Sequence, residues 1–354
     1  KQKTAYEIRP RDWSSDVCSS DLFLSQHHRV NSDNSHACCW PLHVQKDKKL
    51  MRSRLWINLW LVYIIWGSTY LAIALAVKDM PPLIAMGTRF LLAATLMGSW
   101  LAIKNGVRSL IITKSQFLNV FIMGGLLLGG ANGSVAAAER YAPTGVVAIL
   151  ISMLPVWILM MRSVSGDRPN KFGVLGVLIG LAGIFVLLKP GSVQPINSAS
   201  EKTMIWWCFI ALLGNVGWAI GSFLAPKFSM PKSSYVATFY QLTAGGFILV
   251  TIGSLTGESF SDWRNAGVAA WCGWLYLVLI GSIIAYSAYF WLVRNAPIGL
   301  TSTYAYVNPV IAIILGIIFL SESINASYIL GGAIVLIGVL LVVTSESKRL
   351  RNKL

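Results

Sequence analysis

The sequence predicts an all-α polytopic membrane protein: ten transmembrane helices in two five-helix inverted-topology repeats, with both termini cytoplasmic. Three observations predict it. The chain of 354 residues is 55% hydrophobic and only 12% charged, with a mean hydropathy of +0.63, whereas soluble domains run near 25% charged. Its apolar residues gather in runs of about 20, the length that crosses a bilayer. Landmark residues also recur at a nearly constant offset half a chain apart, the mark of a duplicated unit. This composition excludes an ordinary cytosolic enzyme and a disordered chain.

Residues 1–50 differ from the rest. They hold all four His (His27, His28, His36, His43) and three of the five Cys (Cys18, Cys38, Cys39). Lys1–Ile8 and Asp12–Leu22 back-translate into the two constant parts of a common short-read sequencing adapter, in order and in one frame. Residues 1–50 are therefore expected to be a non-native, disordered leader, adapter read-through followed by upstream translation, with Met51 as the true start. A genuine disordered arm is the alternative. From Met51 onward 304 residues remain, with 21 Lys and Arg against 8 Asp and Glu, a net charge of +13. No His remains, and the only Cys are Cys208 and Cys272, so neither a metal set nor a disulfide is expected.

The ten spans are read at 56–77, 82–103, 117–138, 143–163, 171–188, 205–226, 234–255, 268–292, 297–320 and 326–344. Short polar links join them. The longest, 189–204, carries Pro190, Gly191, Pro195 and a Ser/Asn cluster, as a linker should. The organisation is then a first repeat at 51–190, a linker at 191–204, a second repeat at 205–344 and a basic tail at 345–354. Cytoplasmic links of membrane proteins collect Lys and Arg. One side gathers 15 of the 21, the other gathers Lys78, Arg140, Lys189, Lys202 and Arg264, and Arg89 lies within a span. The positive charge is thus explained by topology, and no nucleic-acid partner is implied. Trp56, Trp60 and Trp100 at inner ends, with Trp206, Trp207, Trp271 and Trp274 at outer ends, fit an interfacial aromatic belt.

Trp66 and Arg89 are echoed by Trp218 and Gln241, 152 residues later. Arg140, Pro143, Gly145 and Pro155 are echoed by Arg294, Pro297, Gly299 and Pro309, 154 later. Gly176 and Gly183 are echoed by Gly331 and Gly338, 155 later. Five spans is an odd number, so the second copy enters the membrane from the opposite side. Secondary transporters use such inverted repeats, because two related halves can rock between inward-open and outward-open forms. Gly124, Gly125, Gly129, Gly130 and Gly133 on one helix, and Gly173, Gly176, Gly180 and Gly183 on another, suit close helix packing.

The run Tyr63-Ile64-Ile65-Trp66-Gly67-Ser68-Thr69-Tyr70 resembles the first-helix motif of the EamA family in the drug/metabolite transporter superfamily. Pro81-Pro82-Leu83 with Arg89-Phe90, Asn132-Gly133 with Ala138-Glu139, and Thr303–Val310 with Gly316 and Glu322 resemble its second, third and ninth helices. The likeness covers 51–344 and is to bacterial inner-membrane exporters. It implies the ten-helix two-repeat fold and export of small metabolites or drugs across the cytoplasmic membrane.

Candidate substrate-binding or gating residues are Trp66, Tyr70, Arg89, Asn132, Trp218, Gln241, Tyr306 and Asn308. Arg89 is the one basic residue inside a span, where a charge costs about 2.5–3.5 kcal/mol on insertion scales. It can snorkel to the outer headgroups, tie to helix-end carbonyls, or meet an anionic substrate. Trp66 and Trp218 are repeat mates that serve either as core or as flat walls for a substrate, and Tyr70 shares the face of Trp66. Asn132, Asn215 and Gln241 act as interhelical glue or as substrate contacts. Pro155 and Pro309 are candidate hinges, since each frees the carbonyl four residues earlier, of Ile151 and Ala305. Ser302 and Tyr306 share a face beside Asn308. The eight carboxylates, Asp167 and Asp262 among them, lie at or near links. Glu139, at the end of the third span, is either a solvated link charge or a proton-coupling group.

A membrane enzyme would need a nucleophile with a base or a metal set, and neither is visible. No P-loop for an ATP-driven pump is present, and no cofactor is expected. A non-transport scaffold or sensor is the remaining alternative. The expected partners are a small-molecule substrate and the lipid bilayer, with a homodimer left open.

Overall fold

The computed structural model describes the chain from Trp40 to Lys353, apart from residues 167–169, 297 and 324. Side chains are described from residue 53 to 345, except at 262, 298, 299 and 306. Residues 1–39 of the leader, Asp167, Pro297 and the side chains of Asp262 and Tyr306 therefore lie outside the described residues. By contacts the chain falls into two units, Lys1–Lys49 and Leu50–Leu354. Within the second, every described residue in regular structure is helical.

Helix α1 runs Trp40–Asp79, and so begins inside the stretch expected to be disordered. Pro41 suits a first helical turn, and Gln, Lys and Leu that follow are good helix formers. Its apolar part is Ser53–Asp79. Helix α2 (Pro82–Asn105) follows, then α3 (Lys114–Gly124), a π-helical stretch (Gly125–Asn132) and α4 (Gly133–Glu139). Next come α5 (Thr144–Ile151), α6 (Leu154–Val164) and α7 (Lys171–Leu187). The second half holds α8 (Glu201–Leu224), α9 (Ser234–Leu255), α10 (Val268–Tyr276), a second π-helical stretch (Leu277–Ala285) and α11 (Tyr286–Asn295). It ends with α12 (Ile298–Thr301), α13 (Tyr304–Leu320) and α14 (Ala326–Lys353).

Among the described residues, eight helical stretches are long and apolar enough to cross a membrane. Their bounds fall within four residues of the expected spans. The fifth and ninth expected spans are shorter: α7 and α13 have 17 residues each, about 26 Å at 1.5 Å per residue.

Four expected spans are not plain α-helices. The third and eighth each open into a π-helical stretch, and the second of these begins 152 residues after the first. The fourth is interrupted at Ser152–Met153, and Pro155 sits in the first turn of the resumed helix α6. The ninth is interrupted at Ser302–Thr303, while α13 passes through Pro309 unbroken. The hinge expectation thus needs correction in the second half: the break lies six residues before the proline. A proline disturbs the ladder toward its N-terminal side, and the displaced turn is secured by side chains from another helix.

Packing pairs elements across the halves. Helix α2 lies against α9, α7 against α14, and α8 against the first π-helical stretch. Small residues permit the closest approach: a Cβ added at Gly176 would stand 2.7 Å from the Gly338 carbonyl oxygen. Most outward faces of the spans are apolar, as at Leu178, Phe185, Phe209 and Phe247. Trp56, Trp60, Trp100, Trp206 and Trp271 are exposed, as an interfacial belt requires. The belt expectation fails for Trp274, which is buried and donates from Nε1 to the Ala85 carbonyl at 2.9 Å.

Carboxylates from distant links cap helix starts that have no cap of their own. Pro81 and Pro143 precede α2 and α5 and offer no side-chain acceptor. Glu258 accepts from the amides of Leu83 and Ile84 at 3.1 and 2.8 Å. Glu322 accepts from the Thr144 amide at 2.7 Å, and Asp79 from the Gly267 amide at 3.0 Å. Each meets unsatisfied N–H groups at the positive end of a helix dipole.

Candidate functional site

Where the two halves meet, the bundle forms a partly open cavity. Trp66, Tyr70, Arg89, Asn132, Trp218 and Asn308 line it, six of the eight residues expected to form the site. Tyr306 lies outside the described side chains. Gln241 is not in the wall: it is fully buried behind Tyr286, whose hydroxyl donates to its Oε1 at 2.7 Å.

Arg89 does not snorkel. It is only 4% exposed, because α2 turns it inward toward the π-helical stretch that ends at Asn132. Its Nη2 donates to Asn132 Oδ1 at 2.8 Å, and its Cζ lies 4.4 Å from the Phe90 ring centroid. Its Nε is buried without a hydrogen-bond partner. A π-helical turn widens the ladder and turns side chains inward at functional positions, and here it presents Asn132 to the guanidinium.

Trp66 and Trp218 meet edge to face, with centroids 5.4 Å apart and planes at 84°. Tyr289 and Tyr304 complete the cluster, 4.8 and 5.1 Å from Trp66. Trp218 Nε1 donates to the Tyr289 hydroxyl at 3.0 Å, which also meets Ser222 at 2.7 Å. Trp66, Trp218 and Tyr304 are packed in or against the core and also line the cavity.

The two interrupted helices are held from across the halves. Asn215, on α8, donates to the carbonyls of Leu150 and Ile151 at 3.3 and 3.0 Å. Tyr63, on α1, hydrogen-bonds to the Thr303 hydroxyl at the other break. The side-chain amide of Asn308 lies 3.2 Å from the carbonyl oxygens of Tyr63 and Tyr304, two acceptors that suit its nitrogen and not its oxygen. Asn215 follows Tyr63 by 152 residues, the same separation as Trp66 and Trp218.

Glu139 corrects an expectation. It is not a solvated link charge but is 1% exposed at the end of α4, and neither carboxylate oxygen has a hydrogen-bond partner. Arg89 and Glu322 are the charged groups whose fields reach it. It stands outside the cavity lining.

Sequence reasoning missed Thr69, Ser282, Tyr286 and Tyr304, which also line the cavity. Tyr286 follows Asn132 by 154 residues, the offset between Arg140 and Arg294, so the repeat could have found it. Among the described residues no cluster of His, Cys, Asp and Glu could hold a metal ion.

Comparison with known proteins places this geometry. A profile of the EamA-like transporter family matches residues 55–189 and 205–344. The uncharacterized inner membrane transporter YedA of Escherichia coli K12 is 34% identical over 259 residues, covering 73% of this chain and 80% of its own. An uncharacterized transporter of Archaeoglobus fulgidus is 25% identical, covering 84% of this chain and 99% of its own. Protein PecM of Dickeya dadantii is 26% identical, covering 82% and 92%. A solved crystal structure shares the fold at a TM-score of 0.58 and 20% identity, covering 84% of this chain and 99% of that one.

Proposed function

Because the chain belongs to the EamA-like transporter family, we propose that it is a secondary active exporter of small metabolites or drugs, working by alternating access. It is a multi-pass membrane protein, as its inner-membrane relative and its eight membrane-length helices indicate. The proposal adds α7 and α13 as spans, for ten in all, with both termini cytoplasmic and the halves 51–190 and 205–344 inverted. The charge asymmetry of the links and the recurrence of π-helical stretches 152 residues apart support it.

The observation that carries the reading is the cavity between the halves, walled by the repeat mates Trp66 and Trp218. A binding site on the axis of two related halves can face either side while its walls keep similar packing. Arg89 and Asn132 would orient the substrate. The breaks near Pro155 and before Pro309 would be the bending points. Glu139, buried and without partners for either oxygen, would carry the coupling proton.

Uptake into everted vesicles tests this. Vesicles from cells overproducing the chain should accumulate at least one labelled solute from a broad panel, driven by a proton gradient or by exchange. No such flux for any solute would replace transport with a scaffolding or sensing role.

A further inference from the structure

We propose that the cavity takes an organic monoanion: one carboxylate borne on a flat, apolar body. This rests on the transport reading but concerns the ligand that the site selects.

The charge argument starts with Arg89. It lines the cavity while 4% exposed. Its hydrogen bond to Asn132 uses Nη2 and brings no negative charge. Its Nε is buried and unpartnered. A buried guanidinium with an orphan donor is costly. Glu139 is the carboxylate whose field reaches Arg89, but it accepts no hydrogen bond from it. A ligand carboxylate at the guanidinium would supply a direct charge partner, and the planar guanidinium suits that geometry.

Among the described residues no Asp or Glu lines the cavity. An ammonium group, on an amine or a zwitterion, would find no carboxylate there. Aromatic rings attract cations, but Arg89 places a positive charge in the same cavity and opposes that attraction. One cationic side chain also argues for one carboxylate rather than two.

The body follows from the aromatic part of the lining. Trp66, Trp218 and Tyr304 meet edge to face, at 84° in both pairs with Trp66. Trp218 Nε1 is already bonded to Tyr289, so this ring presents apolar surface rather than a donor. Flat unsaturated rings are the shape that such surfaces bury best.

A matched series of naphthalenes tests the inference on the purified full-length protein in detergent, by isothermal titration calorimetry. The members are 2-naphthoate, 2-naphthylmethylammonium and 2-naphthylmethanol. Naphthoate should bind at least about tenfold more tightly than either companion, the order expected for a charge-assisted hydrogen bond. Arg89→Gln should erase that preference, whereas Trp218→Phe should weaken all three ligands and keep their order. Equal or tighter binding of the ammonium or alcohol, or no naphthoate binding, overturns the inference; the wild-type series alone suffices if a variant fails to fold. An unchanged preference in Arg89→Gln also overturns it. Naphthoate binding without vesicle flux for any solute would defeat the transport reading alone. Flux of cations without naphthoate binding would defeat the monoanion alone.

Discussion

The side-chain amide of Asn215 donates to the carbonyl oxygen of Ile151 at 3.0 Å, and Ile151 is the residue whose carbonyl Pro155 leaves without a helical donor. A helix break at membrane depth persists only when its freed groups find partners. Asn215 therefore holds the turn at Ser152–Met153 from the other half of the chain.

Asn215→Leu should destabilise the protein by about 0.6–1.7 kcal/mol, the usual range for interhelical side-chain bonds in membranes. Pro155→Ala restores an amide donor for Ile151, so the same Asn215 change should cost less in that background. A double-mutant cycle by thermal unfolding in detergent measures the coupling. Strict additivity of the two changes would deny that Asn215 serves the proline's carbonyl.

Arg89→Ala should abolish export while the protein still inserts. Only one hydrogen bond to Asn132 is lost on the structural side, but the cavity loses its cationic side chain. Arg89→Lys should recover part of the activity, since charge is kept and the planar fork is lost. Membrane content by immunoblot, set against vesicle flux, checks this; normal flux in Arg89→Ala would deny the role.

Glu139→Gln should uncouple transport rather than block binding. The side chain stands outside the cavity lining and has no hydrogen bonds to lose. Gradient-driven accumulation should vanish, while solute exchange at equal pH should persist. Loss of both would assign Glu139 to structure.

Gly176→Val should separate α7 from α14. The added Cβ would stand 2.7 Å from the Gly338 carbonyl oxygen and 2.9 Å from the Val342 amide nitrogen, and backbone atoms cannot swing aside. A loss of about 1–3 kcal/mol is expected for overpacking, read as a lower Tm. An unchanged Tm would mean that the two helices are free to part.

Most span bounds were legible because bilayer thickness imposes a length and an apolar composition that survive any tertiary detail. Arg89 stood out for the same reason, as a charge against an apolar background. What stayed hidden depends on facing. Tyr286 and Tyr304 have the composition of lipid-facing or core aromatics, and only the fold turns them to the cavity. Glu139 ends an apolar run in sequence, so it looked like a link residue until α4 was seen buried. Trp274 likewise resembled its exposed neighbour Trp271. The break at Ser302–Thr303 carries no signal of its own, because its security comes from Tyr63, 240 residues away.

Glu322 offers a test through pH. It lies between α13 and α14, and burial raises its carboxyl above the ordinary carboxylate range, partly offset by the bond from the Thr144 amide. An unfolded glutamate titrates near ~4.3, so the folded protein binds this proton more tightly. Its contribution to stability is then fully present below the unfolded pKa and is lost as pH rises through the folded value. Glu322→Gln keeps an acceptor for Thr144 and removes the titration. The Tm of the wild type should therefore fall relative to that of Glu322→Gln as pH rises from the unfolded value toward neutrality. A wild type that gains on the variant over that interval would mean that the helix-start dipole, not burial, governs this carboxylate. Glu322→Ala should lower Tm at every pH, because the Thr144 amide is then left without its partner.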